Sequence, residues 1–204
     1  MINFKQLQAR RSGMAERSAA LMELHFAGVD PAWLWLRKNN HGFTTVPRTL
    51  PIAMQAVDQQ EKGHPSGHTL FCLWARAPDH PLVVIENPAT FAGEAGFSGV
   101  RAVDTWRRRM RLLQKHNFLL AKRGTSGEFH YVLLLNPNAA VEYMRYVGLI
   151  QEDLYGRFKD RLAEVGAAND LQKLHEHWAV QKAAQVIAQD VPTTESAAVK
   201  IPGG

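Results

Sequence analysis

Between Arg101 and Arg123 the chain carries eight cations and a single carboxylate, Asp104, and the same segment is spaced for one helix. Val103, Trp106, Met110, Leu113 and Asn117 recur at intervals of 3, 4, 3 and 4, which is one stripe of an α-helix. Arg101, Asp104, Arg108, Arg111 and Lys115 recur at the same intervals and fall on the other side, with Arg107 beside them. A rod of this kind buries one face and offers guanidinium groups from the other. Arg109 falls near the apolar stripe and is expected to snorkel outward along its stem. Leu112 falls among the cations, where it can pack under a neighbouring element.

The charge is local rather than global. The chain has 204 residues and a formal net charge of +5. Outside 101–123 it holds 16 basic and 18 acidic residues, so the whole positive excess sits in those 23 positions. A field this concentrated attracts polyanions, above all nucleic acid or an anionic membrane surface. The alternative for any charge run is a solvated helix face. With 46% hydrophobic residues, wholesale disorder is excluded. One cysteine, Cys72, excludes an internal disulfide framework and a Cys-rich zinc finger. No run of about 18 apolar residues is present, and the first residues lack the apolar stretch of a secretory signal. The expected location is the cytoplasm, with no membrane partner.

Punctuation by Pro, Gly and Asn divides the rest. Residues 1–28 read as helical, Asp30-Pro31 opens a short turn, and a helix starts near Pro47 and ends before Gly63. A helix at 67–77 follows, with Ser66 or Thr69 as its cap, then a strand at 82–85 and a brief helix at 88–95 begun by Asn87-Pro88. Ser98 is placed to cap the basic helix at 99–116, and Asn117 closes it. Strands at 118–123 and 129–135 flank the turn Gly124 to Gly127 as a hairpin. Asn136-Pro137 opens a helical stretch to about Val165, with possible breaks at Gly148 and Gly156, and a last helix runs from Leu171 to about Gln189. Residues 191–204 read as a loose tail.

This order of elements resembles the winged helix-turn-helix domain of DNA-binding proteins. The predicted fold is therefore mainly α with a small β-hairpin, a winged helix-turn-helix core at 47–136, helical additions at 1–46 and 137–190, and the tail. The runs FSGVRAVDTWRRRMRLLQKHNFL, GTSGEFHYVLLLNP and VPRTLP further resemble accessory and regulatory proteins of bacterial conjugative plasmids and integrative elements. The resemblance implies a double-stranded DNA partner, a nucleoid- or plasmid-associated location, and a role in transcription regulation or element maintenance. It implies that 99–116 enters the major groove N-terminal end first. Ser98 and the amides of Gly99 and Val100 would meet a phosphate. Arg101 and Thr105 would reach base edges, while Arg107, Arg108, Arg111 and Lys115 would serve the backbone side. Lys122, Arg123 and Ser126 would approach the adjacent groove from the wing at 124–127. The helices after Asn136 would dimerise the protein, because their apolar stripes exceed what a small core needs.

Rival readings stay open. The winged scaffold can bind a protein partner, or dock a replication initiator or nuclease onto DNA. Arg101, Arg108 and Arg111 can be solvated, or paired with acids such as Glu128. Arg48, a cation at a helix start, has a minor claim as a second contact. His64 and His68 are separated by Pro65 and Gly67, and His175 and His177 point to different sides of a helix, so no metal is called for. Glu86, Glu94 and Asp104 form no acid/base set. No catalytic residues and no cofactor are expected, since no nucleotide-binding or nucleophile motif occurs.

Overall fold

A computed structural model describes the backbone of residues 4–190 and the side chains of residue 13 and residues 15–180. The loose tail expected at 191–204 lies outside the described residues. The chain divides after Gly166 into two units. Within the first, the described helices are α1 (Phe4–Phe26), α2 (Leu50–Asp58), α3 (Gly67–Arg76), α4 (Pro88–Glu94), α5 (Ala102–Lys115), α6 (Pro137–Tyr146) and α7 (Glu152–Val165). The second holds α8 (Ala168–Asp190). Three strands, β1 (Leu82–Val84), β2 (Leu119–Gly124) and β3 (Gly127–Leu134), form an antiparallel sheet in the order β1-β3-β2. The protein is mainly helical with a small sheet, as expected. The strand at 82–84 adds itself to the hairpin: Val83 pairs with Val132, and Ala121 pairs with Val132 from the other side.

Several helix starts are written in the sequence. Asp30 accepts from the Ala32 amide at 2.9 Å and opens a 3-10 turn over Pro31–Trp33. Asn87 Oδ1 accepts from Ala89 N at 3.0 Å, and Asn136 Oδ1 accepts from Asn138 N at 2.9 Å, each with Pro at the first helical position. The start of α3 is built otherwise. Neither Ser66 nor Thr69 caps it. Asp58, at the end of α2, accepts from the amides of Ser66 and Gly67, both at 2.6 Å. This carboxylate fits against the helix because residue 67 is glycine: a Cβ there would lie 2.8 Å from Asp58 Oδ2 and from Met54 Cβ.

The core centres on the apolar stripe of α5. Trp106, Met110 and Leu113 are fully buried, and the Trp106 ring meets Phe91 at 6.3 Å and Phe129 at 5.8 Å between centroids. Leu112 is also buried, although its spacing sets it on the cationic side. The stretch after Asn136 is two helices. Gly148 at φ +75 turns the chain between them, whereas Gly156 lies inside α7. Both helices pack on α2. Thr49 Oγ1 donates to Asn138 Oδ1 at 2.5 Å, and Arg157 Nη1 donates to Gln55 Oε1 at 3.3 Å. Val141, Met144, Leu154, Phe158 and Leu162 are buried in the single chain. These five positions of the apolar stripe in α6 and α7 are thus covered by the fold itself, whereas Val147 at the end of α6 is 43% exposed. Tyr155 donates to both carboxylate oxygens of Glu142, at 3.1 and 3.0 Å. Burial, reinforced by that carboxylate, pushes its phenol up to about 12.

Candidate nucleic-acid interface

The basic face of α5 is solvent-facing, and the hairpin turn stands beside it. Between them lies an open groove of about 500 Å³, lined by Asp104, Arg107, Arg108, Arg111, Arg123, Gly127 and Glu128. Four guanidinium groups from two elements thus converge on one depression. Arg107 spans it: its Nη2 lies 3.9 Å from where a Cβ on Gly127 would stand.

The cations are not all free. Arg111 Nη2 donates to Glu128 Oε1 at 2.5 Å, the pairing left open above. Its side chain nevertheless stays 60% exposed, so the pair is screened and exchangeable. Arg107 Nη1 donates to Asp104 Oδ1 at 3.3 Å. Arg108 Nη1 is 3.4 Å from His64 Nε2 on the loop before α3. Arg101, Lys115, Lys122 and Arg123 are exposed, and Thr105 is half-buried.

Two expected contacts are placed differently. The helix begins at Ala102, three residues later than predicted, with Arg101 at its cap position and no side-chain cap bond. Gly99 at φ +80 and the bond from Ala102 N to Gly99 O at 3.1 Å make residues 99–101 a turn. Ser98 and Gly99 are exposed but lie ahead of the helix, so Ser98 does not cap it, and the free first-turn amides belong to residues after Arg101. Ser126 does not face outward. Its hydroxyl donates to the Ile85 carbonyl and contacts His130 Nδ1 at 2.8 Å, which ties the turn to the end of β1.

Arg109 corrects a third expectation. It does not snorkel: the residue is 6% exposed, and its Nε and Nη1 are buried without hydrogen-bond partners. The guanidinium carbon lies 5.7 Å from the centre of the Phe97 ring. Burial pushes its pKa below the ordinary arginine value; Glu61 opposes the shift, Arg108 adds to it and Asp58 opposes it. Arg109 thus belongs to the packing rather than to the cationic face. Arg48 is exposed, and its carbonyl accepts from Arg161 Nε at 3.4 Å.

Two groove residues had no binding role among the expectations: Asp104, placed on the outward stripe as the one opposing charge, and Glu128, a competitor for arginine, both line the groove. The signal for Asp104 was present: a lone carboxylate among eight cations, spaced with the outward stripe. Among the described residues no three His, Cys, Asp or Glu side chains come together to hold a metal ion. No helix there is long and apolar enough to cross a membrane.

Compared with protein-family models, curated proteins and solved structures, the chain matches none.

Proposed function

We propose that this protein binds double-stranded DNA through a winged helix-turn-helix arrangement, with α5 in the major groove and the 124–127 turn over the adjacent groove. The observation that carries the reading is the groove between α5 and that turn, where four arginines, Arg107, Arg108, Arg111 and Arg123, converge on one exposed surface. The order α3, β1, α4, α5, β2, β3 and the sheet order β1-β3-β2 support it, since they frame α5 against a β-ribbon as a winged domain does. In this role Arg101 and Thr105 serve base edges. Arg107, Arg108, Arg111, Lys115, Lys122 and Arg123 serve the phosphates. A transcriptional regulator or maintenance factor of a mobile element fits such a surface.

A second reading has one observation of its own. Leu82, Val84, Leu120, Tyr131 and Leu133 stand exposed on the outer face of the sheet, the kind of apolar surface that meets a protein. Titration of duplex DNA at several salt concentrations separates the two. A binder that neutralises about five phosphates loses affinity with a log–log salt slope near −4 to −5. Weak binding with a slope near zero would reject the DNA reading in favour of a protein partner.

A further inference from the structure

We infer that Asp104 is a specificity-determining residue that selects cytosine in the duplex, an inference that rests on the DNA-binding reading above. Asp104 lies in the first turn of α5, the part of a recognition helix that meets base edges. Its side chain is 75% exposed and lines the groove beside four arginines. Only Oδ1 is engaged, by Arg107 at 3.3 Å, and Oδ2 has no hydrogen-bond partner among the described residues.

The chemistry of a carboxylate in that position is restrictive. An ionised Asp accepts hydrogen bonds and donates none. Phosphate oxygens repel it, so it weakens backbone contact unless it meets a donor. The major-groove edges offer two donors, the amino groups of cytosine and adenine. Adenine presents its N7 acceptor beside the amino group, and that lone pair faces the second carboxylate oxygen. Cytosine presents no such acceptor on this edge. The favoured partner of Asp104 is therefore the cytosine N4 amino group. Arg107 pairs with the other carboxylate oxygen, Oδ1, and Arg101, three residues earlier at the helix cap, is suited to the O6 and N7 of a guanine close by. The pair Arg101 and Asp104 reads a G·C-containing core, and the later arginines fix the register on the phosphates.

The test is selection of duplexes from a random pool with the wild-type chain, D104N, D104A and R101A, each checked for helix content by circular dichroism. Wild type should recover a motif with cytosine at one fixed position, preferred about ten-fold over the other bases. D104N should move that position from cytosine to adenine, because an amide both donates to N7 and accepts from N6. D104A should flatten the same position and leave the rest of the motif intact. R101A should relax a different position, a guanine. If D104N and D104A keep the wild-type motif and simply bind every duplex more tightly, Asp104 is only a counter-charge and the inference fails. A wild-type chain that binds with steep salt dependence yet recovers no motif also overturns it, while leaving DNA binding in place. A wild-type chain that retains no duplex removes the functional reading itself.

Discussion

Replacing Arg109 with methionine should stabilise the protein. The guanidinium is 6% exposed, with Nε and Nη1 buried and unpartnered. A buried donor without a partner costs about 1–3 kcal/mol, so the two together cost about 2–6 kcal/mol. Against this stand the contact with the Phe97 ring at 5.7 Å and attraction to Glu61 and Asp58. A desolvated cation–π contact contributes about 2 kcal/mol. The difference is about 0–4 kcal/mol in favour of removal, with the two carboxylates trimming its upper end, in line with buried charges replaced by apolar residues of similar volume. Methionine follows the path of the arginine stem and adapts to its surroundings. Equilibrium urea unfolding reads the effect: with a slope of about 2 kcal/mol/M, the midpoint should rise, by at most about 2 M. The variant should also bind duplex DNA within about two-fold of wild type, since the Arg109 head does not reach the groove. A midpoint that falls by more than about 0.5 M at unchanged slope would refute the reasoning, because the charge would then be a net stabiliser. A large loss of DNA affinity at unchanged stability would show instead that the head swings out to the nucleic acid.

Gly124→Ala should destabilise by about 1–3 kcal/mol, the range for overpacking, because its Cβ would stand 2.2 Å from His130 Cδ2; an unchanged melting temperature would mean the turn relaxes freely. Thr49→Val leaves the buried Asn138 carbonyl oxygen without its hydroxyl donor and should lower stability by about 1–3 kcal/mol in denaturant unfolding. His116 is buried, and burial first, then Lys115, depresses its folded pKa below 6.5. The unfolded chain takes up that proton first as pH falls, so this contribution is full above the unfolded value and is lost as the pH drops through the folded one. Melting curves from pH 7 to 5 should fall less steeply for His116→Phe than for wild type, and parallel slopes would contradict the assignment. Arg108→Ala should weaken binding to all duplexes alike and reduce the salt slope by about one, as measured by fluorescence anisotropy.

How much of this was legible in the sequence follows from which signals are local. Asn87-Pro88 and Asn136-Pro137 each pair a side-chain cap with a ring that presets the helical φ, so α4 and α6 began where predicted. The stripe through Trp106, Met110 and Leu113 identified the buried face of α5 correctly. What escaped depended on groups far apart in the chain. Asp58 reaches eight and nine residues forward to cap α3, in place of the nearer Ser66. The register of Leu82 with Leu133 decides that β1 joins the hairpin, and no local pattern encodes it. Periodicity placed Arg109 at the margin of the apolar stripe, but Phe97 from the preceding loop decides that its head stays inside. On the interface, spacing assigned the exposed cations to one side. It could not reveal that Ser126 turns inward to Ile85, 41 residues away.

That inward turn fixes a mechanical property of the molecule. Ser126 bolts the hairpin tip to the end of β1, and the His130 ring fills the space beside Gly124, so the tip has no slack on either side. These two ties resist movement of the tip and so oppose a change in the opening between α5 and the tip. Whatever seats there must supply the compliance itself. For a double helix, the energy of matching that opening falls on base-pair steps, and sequences that flex cheaply gain an advantage at positions no side chain touches.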